Sequence, residues 1–329
     1  MTLMMESGNG NRDSRGNKRR GVHSQHGPSE GCSACPRKCG ADRSSDRLGY
    51  CETPNGFAIA SICAHRGEEP ILSGTHGICN IFFAHCNLQC IYCQNHDISS
   101  NRIPASVYDM ELSEIIRQVE TILDAGATGV GFVSPSHFVP QMLTIMDALR
   151  ARGRRPTYVF NTNGYDRRQT ITSLEGLVDV YLPDLKYMDD ALALRYSDVE
   201  DYMATATAAI KEMFRQKGSE LTLDGDGLVT SGLIIRHLVL PGQVDNSKAV
   251  LRFIARELSP DVHVSLMSQY HPTPAVAHHP TLGRGLTRDE YDEVLDEFEN
   301  LGLHRGWRQD LSSPSHYLPD FFRRHPFEE

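Results

Sequence analysis

The chain has 329 residues, a formal net charge of −9, 40% hydrophobic residues and 9 cysteines. The acidic balance excludes generic binding to nucleic-acid phosphates, which works through clustered Lys and Arg, and no apolar run approaches the roughly 18 residues a membrane span needs. All the cysteines lie between Cys32 and Cys93, and an odd number confined to one stretch of a long chain points to metal or cluster chemistry, not to a disulfide scaffold.

Residues 1–30 are Gly, Ser, Asn, Arg and His with almost no apolar content, so they read as a disordered tail. The basic run from Arg15 to Arg20 reads as part of that solvated tail. No apolar stretch follows it, so no secretory or twin-arginine signal is expected. The expectation is a cytoplasmic protein with reduced thiols. Residues 31–66 form a cysteine-rich segment in which Cys32, Cys35, Cys39 and Cys51 give a C-x2-C-x3-C-x11-C spacing. Four thiolates with no spare position describe a closed site, holding either zinc or an auxiliary iron–sulfur cluster. So short a segment has little core of its own, and the metal would supply much of its folding energy. Cys63 and Cys79 read as buried thiols.

Beyond this segment, short apolar runs alternate with longer amphipathic ones. Strands are predicted at Ile78–Phe83, Val130–Ser134, Thr157–Thr162, Val178–Leu182, Leu233–Leu240 and Val262–Met267. Helices are predicted at Glu111–Ala125, Val139–Ala151, Arg167–Leu177, Asp198–Gln216, Ser247–Leu258 and Thr287–Asn300. The first of them carries Leu112, Ile115, Ile116, Val119, Ile122 and Leu123 as one apolar stripe. A small hairpin is expected over Leu221–Val229. Six strands alternating with helices imply a parallel sheet with right-handed crossovers, and both a doubly wound sheet and a barrel fit that order.

After the first predicted strand comes Cys86-Asn-Leu-Gln-Cys90-Ile-Tyr-Cys93, a C-x3-C-x2-C spacing. Three thiolates on one tight loop can hold three irons of a cubane and leave the fourth without a protein ligand. Structural zinc and structural clusters usually take four protein ligands, so an open position marks a metal that binds something else. The alternative is a zinc loop completed by His85, His96 or another cysteine.

The triplet, with the aromatic Tyr92 before its last cysteine, resembles the signature of the radical S-adenosylmethionine superfamily. The resemblance runs from about residue 32 to residue 310, and the chain is most similar to uncharacterised relatives of the pyruvate formate-lyase activating enzymes. It is carried further by Asn161-Thr-Asn-Gly-Tyr165, Tyr181-Leu-Pro-Asp-Leu-Lys-Tyr187 and Ile235-Arg-His-Leu-Val-Leu-Pro-Gly242. It implies an α/β fold, a partial (β/α)6 barrel over residues 67–310, with the cysteine-rich metal-binding extension before it and a C-terminal tail at 311–329. It also implies a [4Fe–4S] cluster on Cys86, Cys90 and Cys93, with S-adenosylmethionine on the open iron. One electron then cleaves the sulfonium to methionine and a 5′-deoxyadenosyl radical, which abstracts hydrogen from a substrate.

In such barrels ligands sit where the βα loops converge, at the C-terminal strand ends. By resemblance, Asn161 and Thr162 touch the ribose or methionine end, although Asn161 lacks the family's charge. Lys186 pairs with the methionine carboxylate, Asp184 fixes that ammonium or the ligand's amine, and Arg236 lies near the same group. His271 approaches the adenosine, and Tyr92 packs against adenine. Where the family has Ser-Gly-Gly-Glu, this chain has Ser134-Pro-Ser-His137, with no carboxylate. Ser134 and Ser136 are expected to serve as acceptors and His137 to face the substrate.

The resemblance makes the protein an oxidoreductase of the activating-enzyme kind. It would be served by a reductant such as flavodoxin or ferredoxin and act on a glycyl residue of a partner protein. The alternatives are radical modification of a small molecule or another protein, or a non-catalytic electron-transfer or regulatory role. No nucleic-acid or membrane partner is expected.

Overall fold

The computed structural model of the protein describes residues 31–45, 47–311, 319–323 and 326–327. The expected tail over residues 1–30, with its basic run, lies outside the described residues, as does much of the expected C-terminal tail. Among the described residues, nine strands occur in the order β1 (Ile59–His65), β2 (Ile78–Phe83), β3 (Gly129–Val133), β4 (Thr157–Thr162), β5 (Val180–Pro183), β6 (Thr222–Leu223), β7 (Val229–Leu238), β8 (His263–Met267) and β9 (Gly306–Arg308). Among the same residues, nine α-helices intervene: α1 (Pro70–Ser73), α2 (His96–Ser99), α3 (Leu112–Asp124), α4 (Val139–Ala151), α5 (Arg168–Ser173), α6 (Asp190–Ser197), α7 (Tyr202–Lys217), α8 (Val244–Phe253) and α9 (Arg288–Asn300).

The strands form one sheet in the order β1-β2-β3-β4-β5-β7-β8-β9, with β6 paired to β7. Neighbours are parallel except β1–β2 and the β6–β7 hairpin. Among the described residues no pairing joins β1 to β9, so the sheet is a partial barrel, as the resemblance implied. Every residue of β2 and of β3 is buried, as expected of strands covered on both faces. On the outside, α3 buries Ile115, Ile116 and Val119. Thr287 and Glu290 form a reciprocal capping box that starts α9.

Strand periodicity sorts the interior. Ile78 on β2, Val159 on β4, Val180 and Leu182 on β5 and Ile234 on β7 pack together with Leu72 of α1. Residues from four strands surround one short helix, so α1 closes the interior from below. Two residues further along their strands, Asn80, Asn161, Asp184 and Arg236 replace the apolar set, since side chains of one strand face alternate every second residue. The lumen is therefore apolar at its floor and polar above it. Gly131 has no room for a side chain, because a Cβ there would overlap Oδ1 of the buried Asn80.

Several elements differ from the sequence expectation. β1 is an added antiparallel edge strand, and β9 is an added parallel one. The helix expected over Asp198–Gln216 is α7, which starts only at Tyr202, because Asp198 adopts the left-handed conformation (φ 54°, ψ 48°) that ends an additional helix, α6. Ile254–Leu258 forms a π-helical turn after α8.

Candidate cluster and cofactor site

The loop after β2 carries Cys86, Cys90 and Cys93 to the edge of a cavity of about 450 Å³ that they line together with Asn161, Thr162, Asp184, Lys186 and Arg236. The loop's backbone is held by its surroundings. Ile91 N donates to the Tyr196 carbonyl (2.9 Å) and Gln89 N to that of Ser197 (3.4 Å), so the end of α6 accepts the loop's amides. Asn101 Oδ1 accepts from Cys86 N (3.1 Å), and its Nδ2 donates to the Tyr50 carbonyl (2.7 Å).

Each sulfur receives a hydrogen bond. Asn163 Nδ2 donates to Cys86 Sγ (3.3 Å), Ser197 Oγ to Cys90 Sγ (3.0 Å) and Ser99 Oγ to Cys93 Sγ (3.3 Å). Burial, reinforced by the neighbouring thiols, pushes the Cys86 thiol up to about 12; burial pushes Cys90 up to about 11 although Lys186 opposes it. Groups so raised become thiolates at neutral pH only beside a strong positive charge such as a bound metal supplies.

The donor set fits an open cluster better than a closed zinc loop. Of the two histidines that could complete such a loop, His85 has Nδ1 on the Cys51 carbonyl (2.8 Å) and Nε2 on that of Ile103 (2.7 Å). His96 is exposed and pairs with Asp97 (2.9 Å). Among the described residues, no three His, Cys, Asp or Glu side chains stand close enough to hold a single metal ion, at this loop or at Cys32, Cys35, Cys39 and Cys51.

Strand-end residues are distributed as follows. Lys186 Nζ lies 2.6 Å from Asp184 Oδ2, and both face the cavity. Burial alone would lower the Lys186 ammonium, but Asp184, with Cys90 and Tyr202 beyond it, outweighs burial and holds it above its ordinary value. Asn161 lines the cavity. Thr162 does too, but its Oγ1 donates to the buried Asp166 carboxylate and lies 3.1 Å from Ser136 Oγ. Gly164 ends this Asn-Thr-Asn-Gly turn at φ 81°, with the Asp184 carbonyl where a Cβ would stand. Arg236 lines the cavity but is engaged by the carboxylates of Glu68 and Glu69.

Several expected contacts are placed elsewhere. His271 is exposed and outside the cavity, because Tyr270 Oη on the Leu282 carbonyl (2.6 Å) and Thr273 Oγ1 on that of Ile91 (2.7 Å) pin the loop on either side; Gln269 takes the lining position. Ser134, in a left-handed conformation at φ 53°, lines the cavity, whereas Ser136 is buried behind it. His137 does not face the cavity: it is fully buried, donates from Nε2 to the Ala84 carbonyl (3.1 Å), and burial drops it to about 3. Tyr92 borders the cavity, but its ring is packed against Tyr196 and Tyr270 and its hydroxyl meets that of Tyr187.

Glu68, Glu69, Ser99 and Ser197 belong to the site without having been expected there, and Asn163, expected only as part of the Asn-Thr-Asn-Gly segment, donates to Cys86 Sγ. The one signal for the first two is an adjacent carboxylate pair before Pro70, which opens α1 and so turns into the lumen. Isolated Ser residues carry no spacing signal at all.

The cysteine-rich segment docks on the loop that carries Cys86, Cys90 and Cys93. Arg37 Nε donates to the Asn87 carbonyl (2.9 Å), its guanidinium lies 3.7 Å from the Tyr50 ring centre, and Tyr50 Oη donates to Asp198 (2.7 Å). Cys35 is pushed up to about 12 by burial and by Cys51, Cys32 and Cys39, so the four thiols are electrostatic neighbours. Cys51 Sγ also meets Thr53 Oγ1 (3.0 Å) and Arg43 Nη2 (3.2 Å). Cys63 and Cys79 are buried, with no disulfide between them.

Among solved structures the chain is similar to Streptococcus suis SuiB bound to its precursor peptide SuiA (12% identity, TM-score 0.46), covering 72% of this chain and 50% of that one. The chain thus spans half the length of SuiB. It is similar also to a domain of pyruvate-formate lyase-activating enzyme from Bacteroides vulgatus (16% identity, TM-score 0.39), covering 56% of this chain and 100% of that domain. An uncharacterised protein of Methanocaldococcus jannaschii is 29% identical over 277 residues, which are 83% of this chain and 75% of that protein. Residues 80–254, a span that opens on β2 just ahead of the cysteine loop and takes in more than half of the chain, match the Radical SAM superfamily, and the chain belongs to that superfamily.

Proposed function

We propose that Cys86, Cys90 and Cys93 hold a [4Fe–4S] cluster, and that the protein uses it to cleave S-adenosylmethionine and take a hydrogen atom from a polypeptide, as a glycyl-radical activating enzyme does. Superfamily members use such a cluster, S-adenosylmethionine and a reductant; for this chain a flavodoxin or ferredoxin is the proposed donor. When bound, the cluster and S-adenosylmethionine together supply a 5′-deoxyadenosyl radical. The chain's own residues bind, orient and exclude water. Lys186 offers a fixed ammonium for the methionine carboxylate, held in place by Asp184. Asn161 and Ser134 offer polar contacts at neighbouring strand ends. Asn163, Ser99 and Ser197 orient the sulfurs.

The observation that carries this reading is that one cavity is lined by all three cysteines and by the polar ends of β4, β5 and β7. Reconstituted, reduced protein is expected to convert S-adenosylmethionine to 5′-deoxyadenosine and methionine. A yield no higher than that of Cys93→Ala would overturn the reading. A glycyl target predicts an electron paramagnetic resonance doublet on the partner protein.

A second reading, a small-molecule substrate, is favoured by Glu68, Glu69 and Arg236, which line the cavity with charged groups above its apolar floor. Transfer of label from the cofactor into a small molecule of cell extract, with none into protein, distinguishes it. For Cys32, Cys35, Cys39 and Cys51 we propose a second metal centre, zinc or an auxiliary cluster. Counts of iron, sulfide and zinc after anaerobic purification separate those two.

A further inference from the structure

Four polar atoms are linked in series through the apolar core beside the cysteine loop. Tyr92 Oη lies 2.6 Å from Tyr187 Oη, which lies 2.7 Å from Ser197 Oγ, which lies 3.0 Å from Cys90 Sγ. Tyr92, Tyr187 and Ser197 are all buried, at 5%, 0% and 0% exposure. Buried hydroxyls are costly unless satisfied, so the chain exists because each member completes the next. Each hydroxyl has one proton to give. A cluster-bound Cys90 sulfur has none, so Ser197 donates to it; Ser197 then accepts from Tyr187, and Tyr187 from Tyr92. Only one polarity is available: every dipole points its positive end at Cys90.

We propose that Tyr92, Tyr187 and Ser197 form a one-way hydroxyl chain that sets the reduction potential of the cluster through Cys90. The inference rests on Cys90 being a cluster ligand. Reduction adds one electron, taken in the titration from dithionite, and makes the cluster and its thiolates more negative. Donated hydrogen bonds favour that state and raise the potential. Ser197 acts directly, while Tyr187 and Tyr92 act as positioning residues that polarise it, an effect that weakens along the chain.

The test is an electron paramagnetic resonance titration of the reconstituted full-length protein, with iron and sulfide counted in every sample. Ser197→Ala is expected to shift the midpoint to more negative potential, leaving about tenfold less reduced cluster at a fixed poise, which for one electron is 59 mV. Tyr187→Phe, which keeps the ring, should shift it less, and Tyr92→Phe least. Ser197→Thr, which keeps the hydroxyl, should restore it. Unchanged or more positive midpoints in Ser197→Ala and Tyr187→Phe, with the cluster fully loaded, overturn the proposal. Should Ser197→Ala load no cluster, Tyr187→Phe alone decides. If Cys90→Ala retains a cluster with an unaltered spectrum, the ligand assignment itself has failed, and that result is distinct from the other.

Discussion

The guanidinium of Arg236, on β7, and the carboxylate of Glu69, ahead of α1, meet through two hydrogen bonds, Nε to Oε1 at 2.9 Å and Nη2 to Oε2 at 2.5 Å. Glu68 engages the same guanidinium and accepts from Asn80 Nδ2 at 2.8 Å. All three side chains are almost fully buried, so the group ties the floor of the cavity to its wall in a region of weak solvent screening.

Replacing Arg236 by Met strands two buried carboxylates, and breaking a buried ion pair in this way costs about 3–5 kcal/mol. The same change made with Glu68→Gln and Glu69→Gln should recover much of that loss. Burial would raise Glu68, but Arg236 dominates and holds its carboxyl below the usual value. Its stabilising contribution is thus present above the ordinary carboxylate range and lost as the pH falls through the depressed value. Urea denaturation at pH 7 and pH 4 reads both effects. A loss under 1 kcal/mol for Arg236→Met at pH 7 defeats this account.

Asp166 behaves in the opposite sense. Burial pushes its carboxyl up from 3.8 to about 6, and the hydroxyls of Thr162 and Ser136 only partly offset that. Because the folded state holds the proton more tightly, stability is greatest below the unfolded value and declines as the pH rises through about 6. By pH 7 the cost is about 3 kcal/mol. Asp166→Asn, which still accepts from Thr162, should be more stable than the parent at pH 7 and lose that advantage near pH 4. A melting temperature for Asp166→Asn no higher than the parent's at pH 7 counts against the shift.

The two cysteine sets should respond differently. Alanine at Cys86, Cys90 or Cys93 is expected to abolish 5′-deoxyadenosine formation, since each sulfur lines the cavity. Alanine at Cys32 or Cys51 should mainly lower yield and melting temperature, because that segment contributes its contacts from behind the loop, through Arg37 and Tyr50. Identical loss of activity from both sets, at equal iron content, would show the division to be wrong.

What was legible in the sequence follows from burial. The parallel strands announce themselves because both faces are covered, as in the six buried residues of β2. The cysteine triplet is legible because a tight loop must space its ligands closely. β1 was not, because Ala60, Ser61, Cys63 and Ala64 have little strand propensity, and its edge position is decided by pairing with β2. Glu68 and Glu69 carry no signal beyond their adjacency, because their burial is decided by the turn that leads into α1. Tyr92 illustrates a different limit: its place in the loop was evident, but the hydroxyl on Tyr187 that turns it toward the core depends on a residue 95 positions away.

Lys186 provides the sharpest test of how the cavity takes its ligand. Its ammonium is fixed by Asp184 at 2.6 Å and stands above its ordinary value, so it stays charged throughout the neutral range. A charged hydrogen bond to a carboxylate is worth about 1.5–3 kcal/mol, which is on the order of a tenfold to hundredfold change in affinity. Lys186→Met paired with Asp184→Asn, which avoids leaving a lone carboxylate, should therefore weaken S-adenosylmethionine binding by that factor in anaerobic calorimetry. Cluster content and the spectrum of the ligand-free reduced cluster should stay the same. His271→Ala serves as the control, because that exposed side chain lies outside the cavity and its loss should leave the affinity unchanged. If His271→Ala weakens binding as much as the double variant, the adenosine end of the ligand reaches further than the cavity described, and the role given to Lys186 loses its support.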